Sequence, residues 1–161
     1  MPIEFTNIDT NLPLPLFEAI LNMEITSSYL FVYGTLLING NQYAVYLQKH
    51  CKLVGEGKIK GRLYDIGQYP GAIIDANAQQ YIHGSIYLMD NVENVLEIID
   101  EYEGLGSDEP QPYEYTRRVV YIETNNGIVA CWVYLYNWDV HHFPEVSGGK
   151  YLDHINLNGK I

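Results

Sequence analysis

The tripeptide Asn125-Asn126-Gly127 constrains the fold of this chain more than any other local feature. It lies between two runs, residues 113–123 and 128–137, that are rich in β-branched and aromatic side chains. Asparagine and glycine readily adopt the positive φ angles that a tight hairpin turn requires. The sequence therefore predicts an antiparallel β-hairpin near the end of the chain.

Other short runs predict further strands and one helix. Residues 29–33 (Tyr-Leu-Phe-Val-Tyr) form a near-continuous apolar run that ends at Gly34, which is typical of a strand buried on both faces. Residues 58–64 alternate charged and less polar side chains and predict a half-exposed strand. Residues 84–89 are a further strand candidate, and residues 41–50 favour a helix. The tail after Asp139 has no clear period.

Composition narrows the class of protein. The 161 residues carry a net charge of −11, with 20 acidic against 9 basic side chains, so we expect neither a nucleic acid nor an anionic membrane as partner. No apolar run approaches the ~20 residues that span a bilayer. Residues 1–28 contain no lysine or arginine, so they lack the basic start that is typical of a signal peptide. Two cysteines, Cys51 and Cys131, are too few for a disulfide framework and predict buried thiols in a reducing, cytoplasmic setting.

The pattern of residues 90–104 predicts an amphipathic helix with one unusual position. Asp90, three residues before Glu93, has the spacing of an N-terminal cap, and Gly104 marks the end. On a helical wheel, Asp100 and Glu101 are expected to point towards water. The side chains that fall on one inward stripe are Val92, Leu96, Ile99 and Glu103.

An inward Glu103 at a helix C-terminus suits acid/base chemistry. Burial and the negative end of the helix dipole both disfavour its charge, and both would raise its pKa. A carboxylate with a raised pKa is a useful proton acceptor near neutral pH. The alternative is a structural ion pair, with Arg117 as the candidate partner.

Two other groups are candidates for ligand binding. The Gly34-Thr35-Leu36 turn follows a buried strand and exposes backbone N–H groups that suit an anion, although tight turns at strand ends are common. Tyr115 and Arg117 share one strand face with Tyr113, where they either line a polar pocket or simply pack.

Metal and cofactor chemistry find little support in the sequence. His141, His142, His154 and Asp153 match no known ligand spacing, so we expect surface histidines and no metal. Neither cysteine has a histidine near it in the sequence that would indicate an activated thiol. No nucleotide or dinucleotide motif is present.

Four blocks in order resemble the γ-glutamylcyclotransferase-like (AIG2-like) family. The match covers about residues 29–137. The blocks are Tyr-Leu-Phe-Val-Tyr-Gly-Thr-Leu (29–36), Gly-Arg-Leu-Tyr-Asp-Ile-Gly with Tyr-Pro-Gly-Ala (61–72), Ile-Asp-Glu-Tyr-Glu-Gly (99–104), and Tyr-Thr-Arg (115–117) with Trp-Val-Tyr (132–134).

The resemblance implies an α+β fold, a small mixed β-barrel with a few flanking helices and a site at the barrel mouth. It implies that Glu103 is the catalytic acid/base and that the backbone of Tyr33, Gly34, Thr35 and Leu36 binds the substrate carboxylate. Tyr115 and Arg117 would complete the substrate site.

The implied reaction is intramolecular aminolysis of a small-molecule γ-glutamyl substrate. The free α-amine attacks its own γ-carbonyl, closes 5-oxoproline and expels an amine or amino acid, which is a transferase or lyase type of chemistry. Ring closure supplies proximity by itself, so we expect no metal and no organic cofactor.

The resemblance leaves the leaving group and the oligomeric state open. It divides the chain into an N-terminal extension (1–28), the barrel domain (29–137) and a C-terminal extension (138–161). The extensions either cover the barrel mouth, mediate assembly or have no visible role. One alternative to an enzyme is a non-catalytic module on the same fold that binds a small anion. Another is a structural protein that interacts through its acidic surface and its tails.

Overall fold

The hairpin predicted at Asn125-Asn126-Gly127 forms part of the wall of a closed β-barrel in the computed structural model, which describes residues 26–38 and 40–157. Thr124 pairs with Gly127 across the turn, and the φ of Gly127 is +120°. A residue with a Cβ atom would be strained at this φ, which explains why the turn carries glycine. The Thr124 hydroxyl closes the turn by donating to the Gly127 carbonyl at 2.7 Å.

Six strands and three helices make up the described fold, with short 3₁₀ turns at Thr35–Leu37 and Ser147–Gly149. The strands are β1 (Tyr29–Val32), β2 (Cys51–Asp65), β3 (Pro70–Ile74), β4 (Tyr81–Met89), β5 (Tyr115–Thr124) and β6 (Gly127–Tyr136). The helices are α1 (Gln42–His50), α2 (Val92–Glu103) and α3 (Tyr151–Leu157).

Five of the strands close into a barrel in the order β2-β4-β1-β6-β5. The β1–β6 pair is parallel and the other pairs are antiparallel, so the barrel is mixed, as expected. The pairing of Lys58 with Glu123 joins β2 to β5 and completes the ring. β2 is long enough to pair with β4 along its first part and with β3 along its last part.

Strand β1 separates two apolar clusters. Phe31 packs inside the barrel, whereas Leu30 and Val32 pack on the outside against α1 and α2. All three side chains are buried, which confirms the prediction of a strand covered on both faces. The outer cluster fixes the two helices against the barrel wall.

Helix α2 has the predicted extent but a different cap. Asn91, not Asp90, accepts the hydrogen bond of a free helix N–H group, from Asn94 N at 3.0 Å. Asp90 instead pairs with His50 at 2.9 Å. The prediction of Asp90 as cap was therefore wrong by one residue.

The tail contains a short helix, α3, that the sequence did not predict. Val146, Tyr151 and Ile155 are 2–3% exposed and join the cluster inside the barrel.

The division at residues 28 and 137 stays a prediction, and residues 1–25 of the N-terminal extension lie outside the described residues. No helix within the described residues is long and apolar enough to cross a membrane. A cytoplasmic location stays a prediction.

Candidate active site

A cavity of about 240 Å³ lies where β1 ends, beside the C-terminal end of α2 and the start of β5. It brings together residues from all of these elements and from the loop before β3. Six of the seven predicted site residues line it: Tyr33, Gly34, Thr35, Leu36, Glu103 and Tyr115.

Glu103 is the last residue of α2, and Gly104 ends the helix in the left-handed region (φ 73°, ψ 33°). Leu105 N donates to Asp100 O at 2.9 Å, which closes the last turn. Within residues 26–38 and 40–157, no hydrogen bond or ion pair uses the Glu103 carboxylate. It therefore faces the cavity without a partner.

The surroundings of Glu103 disfavour its charged form, as predicted. Burial raises the pKa of its carboxyl group to about 8, from an ordinary value of 4.5. The nearby carboxylates of Glu114 and Asp100 raise the pKa further in the same direction. The direction and the role of burial agree with the sequence prediction, whereas these two charged neighbours were missed.

The turn at the end of β1 lies on the cavity wall, and the N–H groups of Thr35 and Leu36 make no hydrogen bond within the part of the chain that the structure describes. The first hydrogen bond of this 3₁₀ turn runs from Leu37 N to Gly34 O at 3.0 Å, so the N–H groups of Thr35 and Leu36 precede the bonded part of the turn. Gly34 packs against Pro70, where a Cβ atom would lie 2.7 Å from the proline Cγ. A glycine is therefore required for this close approach.

Tyr102 fixes the turn relative to α2. Its hydroxyl shares a short hydrogen bond with the Thr35 hydroxyl and accepts a second one from Asn41 Nδ2 at 3.2 Å. Because Tyr102 directly precedes Glu103, these bonds hold the turn and the carboxylate in one fixed relation.

Arg117, the seventh predicted residue, does not line this cavity. Its Nε lies 3.4 Å from Asp100 Oδ1, and its guanidinium packs over Trp132. The alternative ion pair with Glu103 is therefore absent. Asp100 also accepts a hydrogen bond from the Tyr134 hydroxyl at 2.6 Å and is only one-quarter exposed, so the expectation that it points to water was wrong.

Tyr69 and Glu114 are among the cavity residues that the sequence analysis missed as site residues. The Tyr69 hydroxyl donates to Glu114 Oε1 at 2.6 Å, and both side chains line the cavity. Tyr115, next to Glu114, donates its hydroxyl to Pro70 O at 2.6 Å, and burial raises its pKa. Tyr69 lies in one of the quoted blocks, so that block was a usable signal. Glu114 has no local signal, because only the barrel brings it beside Glu103.

The prediction of surface histidines is confirmed for two of them and wrong for a third. His141 and His142 are exposed, as predicted. His154 was wrongly expected at the surface: it is 18% exposed and its Nε2 lies 2.8 Å from Asp65 Oδ2. Among the described residues, no group of His, Cys, Asp or Glu could hold a metal ion. Cys51 and Cys131 are buried free thiols, as predicted, whereas the reducing, cytoplasmic setting stays a prediction.

Two comparisons of the sequence with known proteins indicate the same family. The sequence profile described as "Gamma-glutamyl cyclotransferase, AIG2-like" matches residues 30–153. A Vibrio cholerae protein provisionally named a gamma-glutamylcyclotransferase is 39% identical over 108 residues, which are 66% of this chain and 79% of that protein.

Two crystal structures share the fold. YkqA from Bacillus subtilis superposes with a TM-score of 0.62 at 24% identity, over 84% of this chain but only 44% of the YkqA chain. An AIG2-like protein from mouse superposes with a TM-score of 0.59 at 22% identity, over 77% of this chain and 87% of the mouse chain.

Proposed function

Because the chain belongs to the gamma-glutamyl cyclotransferase, AIG2-like family, we propose that it is an enzyme that releases 5-oxoproline from a γ-glutamyl amine or γ-glutamyl amino acid. The observation that carries this proposal is the Glu103 carboxylate, which has no hydrogen-bond or ion-pair partner among the described residues and lines the same cavity as the Gly34-Thr35-Leu36 turn. The cavity thus supplies a base and a set of N–H donors close together.

Each part of the reaction has a candidate group. The N–H groups of Thr35 and Leu36 bind the α-carboxylate of the substrate. Glu103 accepts a proton from the α-ammonium group, and the freed nitrogen attacks the γ-carbonyl carbon. The bond from that carbon to the leaving nitrogen breaks, Glu103 returns its proton to the departing nitrogen, and the attacking nitrogen loses its second proton to solvent as the lactam forms. No water is consumed, and the products are 5-oxoproline and the free amine.

The pKa of about 8 fits a group that both accepts and donates a proton. A strongly acidic carboxylate would be a poor acceptor for an ammonium proton, and a base whose pKa lies near the working pH is most effective. Arg117 acts on the site only indirectly, because it pairs with Asp100, whose carboxylate affects the pKa of Glu103. The proposal needs no cofactor, since the nucleophile and the carbonyl belong to one molecule.

The test is to incubate the purified chain with γ-glutamyl amino acids and γ-glutamyl-ε-lysine and to detect 5-oxoproline by mass spectrometry. We expect 5-oxoproline from at least one substrate. In Glu103→Gln the rate of its formation should fall at least about a hundredfold, which is in the typical range for an acid/base residue. Glu97→Gln is the matched control, because Glu97 lies on the exposed face of the same helix.

Two outcomes would contradict the proposal. Absence of 5-oxoproline across the panel, together with saturable binding of the same compounds, would favour the alternative of a non-catalytic binding module. Unchanged turnover in Glu103→Gln would remove Glu103 from the acid/base role.

A further inference from the structure

The described residues that line the cavity carry negative but no positive side-chain charge. Glu103 and Glu114 are its acidic side chains, and no lysine, arginine or histidine is found among the described residues of its wall. The chain as a whole adds a net charge of −11. A cavity of this kind attracts cations and repels a second anionic group on a ligand.

Glu114 is built into the wall but has no role in the proposed ring closure. The Tyr69 hydroxyl holds Oε1 at 2.6 Å, and Asn137 N donates to the Glu114 carbonyl at 2.7 Å, which fixes the backbone just before β5. Among the described residues, no hydrogen bond or ion pair uses Oε2. One carboxylate oxygen is therefore oriented by the protein while the other is available.

A row of aromatic rings continues from Glu114 to the surface. The ring centroids lie 6.2 Å apart between Tyr69 and Tyr115, 5.4 Å between Tyr115 and Tyr136, and 6.4 Å between Tyr136 and Trp138. Trp138 is 46% exposed. Tyr69 and Tyr115 line the cavity, and because faces of tyrosine rings attract cations, these two rings support the preference of the carboxylate.

We propose that Glu114, oriented by Tyr69, selects substrates whose leaving amine carries a second, positively charged ammonium group. The inference rests on the proposed function, because it assigns the leaving-group side of the same cavity. The γ-glutamyl part meets Glu103 and the Gly34-Thr35-Leu36 turn, and the ammonium of the departing diamine meets Glu114 beside Tyr69. A leaving amino acid would instead bring a carboxylate towards Glu114, which costs affinity through like-charge repulsion.

The test compares two substrates that differ in one charge: the γ-glutamyl derivatives of 1,5-diaminopentane and of pentylamine. We expect kcat/KM of the wild-type chain to favour the diamine derivative by about tenfold or more, as for a hydrogen bond between charged groups. In Glu114→Gln, whose amide oxygen still accepts from Tyr69, that ratio should fall to near one. Tyr69→Phe should lower the ratio part of the way.

The ratio of the kcat/KM values for the two substrates separates this role from other effects of Glu114. Removal of its charge also changes the pKa of Glu103, but that change acts on both substrates equally and cancels. Glu97→Gln, with the same loss of charge on the exposed face of α2, should keep the wild-type ratio. A wild-type ratio near one, or a ratio that survives in Glu114→Gln, would overturn the inference.

Binding distinguishes failure of the inference from failure of the proposed function. Calorimetry of the same two compounds with Glu103→Gln measures the preference without turnover. A tenfold difference in Kd that Glu114→Gln abolishes would support the charge selection even if no 5-oxoproline forms. Equal Kd values would overturn it even if the enzyme is active.

Discussion

At the residue scale, three carboxylates close together are distinguished by their partners. Asp100 is held by Arg117 and the Tyr134 hydroxyl, and Glu114 is held by Tyr69. Glu103 faces the cavity without such a partner among the described residues. Titratable groups whose surroundings differ in this way commonly divide their roles, and this difference supports the proposal that Glu103 is the group that transfers protons.

The pH dependence of activity follows from the same environment. The pKa of Glu103 is about 8, so the carboxylate that accepts a proton is present above that pH and is lost as the pH falls. We expect kcat/KM to fall about tenfold per pH unit between pH 7 and pH 6. Because the substrate ammonium also titrates, the independent measurement is the ¹³C carboxyl shift of Glu103 in the free protein. The Glu103→Gln spectrum assigns the resonance, and an inflection near 4.5 would contradict the prediction.

At the scale of the element, helix α2 presents Glu103 through its C-terminal cap. Gly104 adopts a φ of +73°, a conformation that costs an alanine about 1 kcal/mol. Gly104→Ala should therefore lower the free energy of unfolding by about that amount and shift the last turn of the helix. Since small displacements of a catalytic group are costly, we expect kcat/KM to fall about tenfold or more.

Gly106→Ala is the matched control for this prediction. Gly106 does not have a left-handed φ, and an added Cβ would meet no atom within 4 Å. Urea unfolding and kcat/KM of both variants separate a local shift from global destabilisation. Equal activity in the two variants would show that the cap does not set the position of Glu103.

The elements that the sequence predicted best are those whose residue pattern lies within the element itself. The hairpin was predicted from Asn125-Asn126-Gly127, and α2 was predicted from its apolar spacing and from Gly104. Helix α3 was missed because a seven-residue helix has little stability of its own and depends on tertiary burial, here of Tyr151 and Ile155. Glu103 was predictable from one helix, whereas its neighbour Glu114 needed the three-dimensional arrangement.

At the scale of the whole molecule, closure of the barrel joins parts of the chain that are far apart in sequence. The Lys58–Glu123 pairing and the packing of α3 have no local pattern, so periodicity alone predicted strands but not the ring that they form. The resemblance implied the barrel, and the structure adds that side chains of the tail join its core cluster. His154 and Asp65 further connect α3 to the end of β2.

Whether the tail is a separate extension or part of the barrel core can be tested within α3. Ile155 is 3% exposed and belongs to the cluster inside the barrel, whereas Leu157 on the same helix is 86% exposed. Ile155→Ala should lower the free energy of unfolding in urea by about 2–5 kcal/mol, because a large apolar side chain leaves a cavity in a packed core. Leu157→Ala should change it by less than about 0.5 kcal/mol. If Ile155→Ala is equally harmless, α3 does not contribute to the core and residues 138–161 behave as a dispensable extension.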